Sequence, residues 1–304
     1  IKNALPELPP SGSESFDLFL KDFDEVIMPG ITHWQSPNFF AYFPANSSPP
    51  SVLAEMLTAA LGAQCMLWET SPAAAELEEK MMDWLKVMTD LPAEFEGVIQ
   101  DSASSSTLAA LITAREKITR FRSNREGLGD AGRLRIYAST QTHSSVEKGA
   151  GVAGFGRDNL VKVAVRSDYS MDPDALRRAI ENDIAAGFTP CCVVATLGTT
   201  GTTAIDPLRA VGEICREHGI WLHVDAALGG TALLLPEMRW MTDGIEYVDS
   251  LVFNPHKWMF TNFDCSAYFV RDAASLIRSF EILPEYLKTR TRGEVNDYRD
   301  WGIP

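Results

Sequence analysis

The stretches Ile220-Trp221-Leu222-His223-Val224-Asp225-Ala226-Ala227 and Ser250-Leu251-Val252-Phe253-Asn254-Pro255-His256-Lys257-Trp258 follow one pattern. Each is an apolar run, short enough for a buried strand, that ends on polar residues able to do chemistry. Lys257 lies 32 positions after Asp225 (257 − 225). An amine and a carboxylate at the C-terminal edges of neighbouring strands face one crevice, the place where open α/β sheets hold their ligands.

From Gly97 onward, short β-rich runs alternate with helical ones. Strands are expected at 98–100, 134–139, 160–165, 191–197, 220–224, 250–253 and 266–270, and helices at 105–121, 173–186 and 207–218. Such alternation predicts an α/β fold: a mainly parallel, seven-stranded sheet with helices on both faces. Asp206 is expected to cap the 207–218 helix, with Pro207 in its first turn. Before Gly97, helical spacing marks 51–61 and 73–88; in the second, Leu77, Met81, Trp84, Leu85 and Met88 share a face. Residues 1–50 are rich in proline and aromatics, with one short helix near 16–26. They are expected to form an N-terminal segment, and 51–304 the large domain. Residues 127–132 read as a surface loop.

Composition narrows the function classes. The net charge of −14 argues against a nucleic-acid footprint or attraction to anionic lipid. Five cysteines are an odd number, and Cys191 and Cys192 lie inside an apolar run, so buried thiols are expected rather than a disulfide framework. No signal peptide opens the chain, and no apolar stretch approaches the roughly 20 residues of a membrane span. A reducing cytoplasm is the expected compartment. The chain opens on Ile1 and stops at Pro304 with no closing helix, so we expect a piece of a longer enzyme.

The Lys257–Asp225 pair matches the needs of pyridoxal 5'-phosphate (PLP): an amine for a Schiff base and a carboxylate for the pyridine nitrogen. Other segments in strand-to-helix positions extend the pattern. Ser102-Ala103-Ser104-Ser105-Ser106-Thr107 offers hydroxyls and backbone N–H groups at a helix start, suited to a phosphate. His143, after the 134–139 strand, can stack on the cofactor ring, or simply cap a helix beside its serines. Phe253, Trp258, Met259 and Phe260 around Lys257 predict a partly desolvated amine with a lowered pKa. A metal site built on His223, Asp225 and His256 lacks an evident further ligand and leaves Lys257 without a role.

Six segments carry a resemblance: His33-Trp34-Gln35-Ser36-Pro37, Ala41-Tyr42-Phe43-Pro44, Thr142-His143-Ser144-Ser145-Val146, His223-Val224-Asp225-Ala226-Ala227, Asn254-Pro255-His256-Lys257-Trp258 and Asn262-Phe263-Asp264-Cys265-Ser266. In order and spacing, over nearly the whole chain, they resemble the aromatic L-amino acid decarboxylases, PLP-dependent group II decarboxylases of fold type I. The resemblance implies that the C-terminal small domain is absent from this chain and that the working unit is a homodimer. It also implies Lys257 as the Schiff-base lysine, Asp225 as the pyridinium partner, Ala227 and His143 on the two ring faces, and Thr200 near the ring. Ala103, Ser104, Asn254 and His256 would hold the phosphate. Trp34, Tyr42, Phe43 and Pro44 would take the substrate side chain, and Tyr286 would protonate the product carbanion. Ala45, Gln64-Cys65-Met66 and Leu228 depart from the usual pocket residues, which leaves open the choice among tyrosine, DOPA, tryptophan and phenylalanine.

The expected reaction is decarboxylation of an aromatic amino acid to the amine. The rivals are an aldehyde synthase of the same family, and a truncated subunit without catalysis. In the synthases, phenylalanine replaces the loop tyrosine or asparagine replaces the stacking histidine, so Tyr286 and His143 favour the decarboxylase.

Overall fold

The computed structural model describes residues 1–2, 4–43, 45–129, 133–282 and 295–303. Its contacts divide the chain into two units, Ile1–Ala45 and Asn46–Pro304. In the first, Ser15 caps the short helix α1 (Phe16–Asp22) by accepting from the Leu18 N–H, and tight turns follow.

The second unit is built on the alternating runs seen in the sequence. Seven strands form: β1 (Glu96–Gln100), β2 (Leu134–Ser139), β3 (Leu160–Val163), β4 (Thr189–Thr196), β5 (Trp221–Asp225), β6 (Ser250–Phe253) and β7 (Ser266–Val270). They make one sheet in the order β1-β7-β6-β5-β4-β2-β3, in which β7 runs opposite to the other six. The helices are α2 (Pro49–Leu61), α3 (Pro72–Met88), α4 (Ala103–Ile118), α5 (Ser123–Glu126), α6 (Ser144–Val152), α7 (Pro173–Ala185), α8 (Leu208–His218), α9 (Pro255–Trp258) and α10 (Ala273–Phe280). The fold class is the expected one, α/β with a mainly parallel sheet.

Alternation along the strands sorts side chains into two cores. On one face, Leu222, Val224, Leu251 and Phe253 pack with Leu176 and Ile180 of α7 and Val211 and Ile214 of α8. On the other, Trp221, Val252 and Tyr268 pack with Ala109, Ala110, Leu111 and Ala114 of α4 and Val146 of α6. Phe253 and Phe269 are fully buried and stacked at 6.1 Å, and burying each contributes about 1.5–3 kcal/mol. Cys191 and Cys192 are buried free thiols, as expected.

Two details differ from the sequence reading. Pro207, not Asp206, is the N-cap of α8. The Asp206 carboxylate turns inward instead and accepts from the Met171 and Thr196 N–H groups at 2.7 and 2.8 Å. Two otherwise orphaned buried donors outcompete a helix cap for that side chain. In α3, Ala75, Met82 and Leu85 are the buried residues, while Leu77, Met81, Trp84 and Met88 of the expected apolar face are exposed.

Candidate active site

Strands β1, β2, β4, β5 and β6 all run the same way, β1 and β6 because both are antiparallel to β7. The segments after them therefore emerge at one edge of the sheet. That edge carries Ala103 and Ser104 after β1, His143 after β2, Thr199 and Thr200 after β4, Asp225 and Ala227 at the end of β5, and Asn254 to Lys257 after β6.

Asp225 is the last residue of β5, level with Thr196 on β4 and Val252 on β6. Alternation from Trp221 turns its side chain to the α4 face, where it is buried. The N–H of half-buried Ala227 donates to Oδ1 at 3.0 Å and fixes the plane of the carboxylate. Lys257 lies on α9, the short helix that Pro255 opens after β6. It is half-buried; burial pushes its amine below the ordinary lysine value, and the Asp225 charge offsets part of that shift. A lysine so placed is a better nucleophile at neutral pH than a solvated one.

Asn254 and His256 are held by a buried polar cluster. The Asn254 side-chain amide lies 2.8 Å from Ser266 Oγ and 3.2 Å from His256 Nε2. The Cys265 N–H donates to His256 Nδ1 at 3.0 Å, and the imidazole stacks on Phe263 at 4.3 Å. Burial, then the neighbouring Lys257 charge, lowers the His256 pKa. The Ser266 hydroxyl donates to Asn254 Oδ1, and Asn254 Nδ2 faces His256 Nε2. Nothing in the sequence alone marked Ser266 or Cys265 as partners, because both lie on the antiparallel strand or its approach.

At the α4 start, Ser102 is the N-cap and accepts from the Ser105 N–H at 3.2 Å. Ala103 is buried and Ser104 exposed in the first turn, where N–H groups lack helical partners. Ser104 and His143 share a pocket of about 200 Å³ with Ser105, Leu108, Ser145 and Lys148. His143 is the N-cap of α6: its Nδ1 accepts from the Ser145 N–H at 3.2 Å, and the ring is exposed. Thr200 is exposed in the turn after β4. Its neighbour Thr199 is buried, with Oγ1 accepting from the Ala204 N–H at 3.0 Å.

A larger cavity, about 700 Å³, is lined by Cys65, Gln100, Ser105, Tyr298 and Trp301 among others, and none of the residues expected to hold a cofactor lines it. The amine of Lys257 and the carboxylate of Asp225 belong to the sheet edge and not to that cavity. Tyr286 and Pro44 lie outside the described residues. The other three expected substrate-wall residues form a cluster within the first unit: the Trp34 and Tyr42 rings stack at 5.5 Å with 3° between planes, and Phe43 meets Trp34 edge-on at 5.5 Å. Among the described residues, no three His, Cys, Asp or Glu side chains are grouped to hold a metal, and no helix is long and apolar enough to cross a membrane.

The donor set fits PLP: a desolvated amine, a buried carboxylate whose charge reaches it, and a capped helix start for the phosphate. When bound, that group supplies an aldehyde for the amine and a ring that accepts electrons.

Comparison with known proteins agrees. The sequence profile described as the pyridoxal-dependent decarboxylase conserved domain matches residues 1–304. The chain is 44% identical over 318 residues to aromatic-L-amino-acid decarboxylase of Mus musculus, covering 100% of this chain and 66% of that protein. It is equally 44% identical, over 310 residues, to phenylacetaldehyde synthase of Arabidopsis thaliana, covering 99% of this chain and 62% of that protein. The crystal structure of Oryza sativa TDC with PLP and tryptamine superposes with a TM-score of 0.96 at 39% identity, covering 99% of this chain and 64% of that one. The chain thus spans just under two thirds of the relatives it matches. On the match over its whole length and the cofactor-ready sheet edge, the chain belongs to the pyridoxal-dependent decarboxylase family.

Proposed function

We propose that this chain is the cofactor-binding part of an enzyme that decarboxylates an aromatic L-amino acid to its amine and carbon dioxide. The observation that carries the reading is the placement of Asp225 and Lys257 on one sheet edge, with the carboxylate acting on the amine's pKa. Lys257 presents its amine to the cofactor aldehyde. Asp225 would hold a proton on the cofactor's ring nitrogen, where the ring supplies an electron sink. Ala103, Ser104, Asn254 and His256 would hold the phosphate, and Ala227, His143 and Thr200 would hold the ring. Tyr286 returns a proton to the product carbon. Trp34, Tyr42, Phe43 and Pro44 receive the aromatic side chain.

Residues 1–50 form the substrate-recognising segment and 51–304 the PLP-binding large domain of a cytoplasmic homodimer. Support for a dimer comes from α2, which has no buried residue and exposes Leu53, Met56, Leu57 and Leu61. The second reading, an aldehyde synthase, is favoured by one observation: overall identity to such an enzyme equals that to the mouse decarboxylase.

The test is borohydride reduction of PLP-loaded full-length protein, followed by peptide mapping and a product assay. A reduced adduct on Lys257, with amine formed one for one with carbon dioxide, is the expected result. An adduct on another lysine overturns the site, and aldehyde with peroxide as the main product overturns the reaction.

A further inference from the structure

Away from the crevice, buried polar groups converge on one ring. His223 is fully enclosed on β5, one side-chain repeat before Asp225. Its Nδ1 lies 2.9 Å from Ser250 Oγ on β6, and its Nε2 lies 3.3 Å from Thr107 Oγ1 on α4. Ser250 Oγ also accepts from Trp221 Nε1 at 3.0 Å. Thr107 and Ser250 are themselves fully buried. Burial holds the imidazole neutral, its pKa pushed down to about 3.

An apolar residue would fill this place without desolvating any polar atom. What the apolar residue lacks is direction: hydrogen bonds fix distance and orientation between elements, whereas apolar packing tolerates sliding. The three elements joined here are those that build the crevice. Thr107 is one helical turn beyond Ala103 on α4, His223 is two residues before Asp225, and Ser250 is four residues before Asn254. The side chains at these positions all lie on the α4 face of the sheet, opposite the α7–α8 core.

We propose that His223 is a positioning residue that ties α4 to β5 and β6, holding the phosphate seat at a fixed distance from the Asp225 carboxylate and the strand leading to Lys257. The inference rests on the cofactor reading above. His223 touches neither cofactor nor substrate; it acts through the elements it joins.

The test uses full-length, PLP-loaded protein with Thr107→Val, His223→Leu and His223→Gln. Thr107→Val exchanges a hydroxyl for a methyl of the same shape, so it decides the matter even if His223→Leu fails to fold. The expected result is a cofactor dissociation constant raised about tenfold or more in Thr107→Val, a lowered kcat at nearly constant KM, and an altered visible circular dichroism of the bound cofactor. His223→Gln, which keeps a polar tip, should recover part of the loss seen in His223→Leu. The double variant Thr107→Val/His223→Leu should be no worse than His223→Leu alone, because both remove one link. Cofactor affinity, kcat and dichroism all within twofold of wild type in Thr107→Val overturn the inference, even if its melting temperature falls. A wild-type protein that binds no PLP sinks the cofactor reading itself, which is a separate result.

Discussion

The backbone N–H of Ala227 donates to Oδ1 of Asp225 at 3.0 Å, so the first turn beyond β5 aims the carboxylate that the strand delivers. Aim matters because a carboxylate holds a proton on a ring nitrogen only when its second oxygen points at that atom. Asp225→Ala should therefore still allow the cofactor to attach to Lys257 while slowing turnover by about 100-fold, roughly 3 kcal/mol of barrier. Single-turnover kinetics on the loaded variant measure this. Near-normal turnover would make the carboxylate merely structural.

Gly198 follows β4 with φ +87°, and a Cβ there would stand 3.1 Å from both N and Cα of Gly229, beyond β5. Two connections at the sheet edge thus touch through backbone alone. Gly198→Ala should cost about 1–2 kcal/mol from the left-handed backbone, before any steric shift. A thermal melt lowered by several degrees is expected; an unchanged melt contradicts the close approach.

His223 sets a pH limit on stability. In the unfolded chain it titrates near 6.5; in the fold its pKa is pushed down to about 3. Between those values the unfolded state binds more protons, so stability falls as pH drops below 6.5. Each unit is worth roughly 1.4 kcal/mol, or about 2 kcal/mol from pH 6.5 to 5. Urea unfolding at pH 7 and pH 5 should show a smaller acid loss in His223→Gln than in wild type by about that amount. Equal losses would mean that His223 is not buried neutral.

Tyr286→Phe keeps the ring and deletes the acid. Products should shift from amine toward aldehyde, ammonia and peroxide, with cofactor attachment unchanged. The ratio of amine to peroxide per carbon dioxide, read for wild type and variant together, decides it. If the variant still makes only amine, His143 is the next candidate for the proton.

Substrate competition tests the aromatic cluster. Trp34 and Tyr42 present stacked faces, and Tyr42 is 85% exposed, which suits a flat apolar side chain. Tyrosine, DOPA, tryptophan or phenylalanine should outcompete glutamate. Faster turnover of glutamate or histidine contradicts that assignment.

The strands were legible because each is a brief apolar run closed by turn formers, and parallel alternation then places Asp225 and Lys257 on one edge. Three things were not legible. Helix α6 runs unbroken through Gly149 and Gly151, poor helix formers whose cost tertiary packing offsets: both Gly149 and Ala150 are buried. Asp206 looked like a cap because its local context fits one, while its true partners, Met171 and Thr196, are distant in sequence. Ser250 and Thr107 looked like ordinary small residues until the fold brought both to His223, and no local pattern encodes contacts across 27 and 116 residues.

The pairing of β1 sets an order of events during synthesis. Its register joins Gln100 to Ser266, and among the described residues β7 is its only neighbour in the sheet. The strand that leads into α4 therefore waits, unpartnered, until nearly all of the sheet has been translated. Such long-range closure is slow and leaves an edge exposed. A ribosome that stalls before residue 266 would release a chain whose central strands could pair and seat α4 while β1, the strand that leads into it, stayed unpaired, a natural substrate for chaperones.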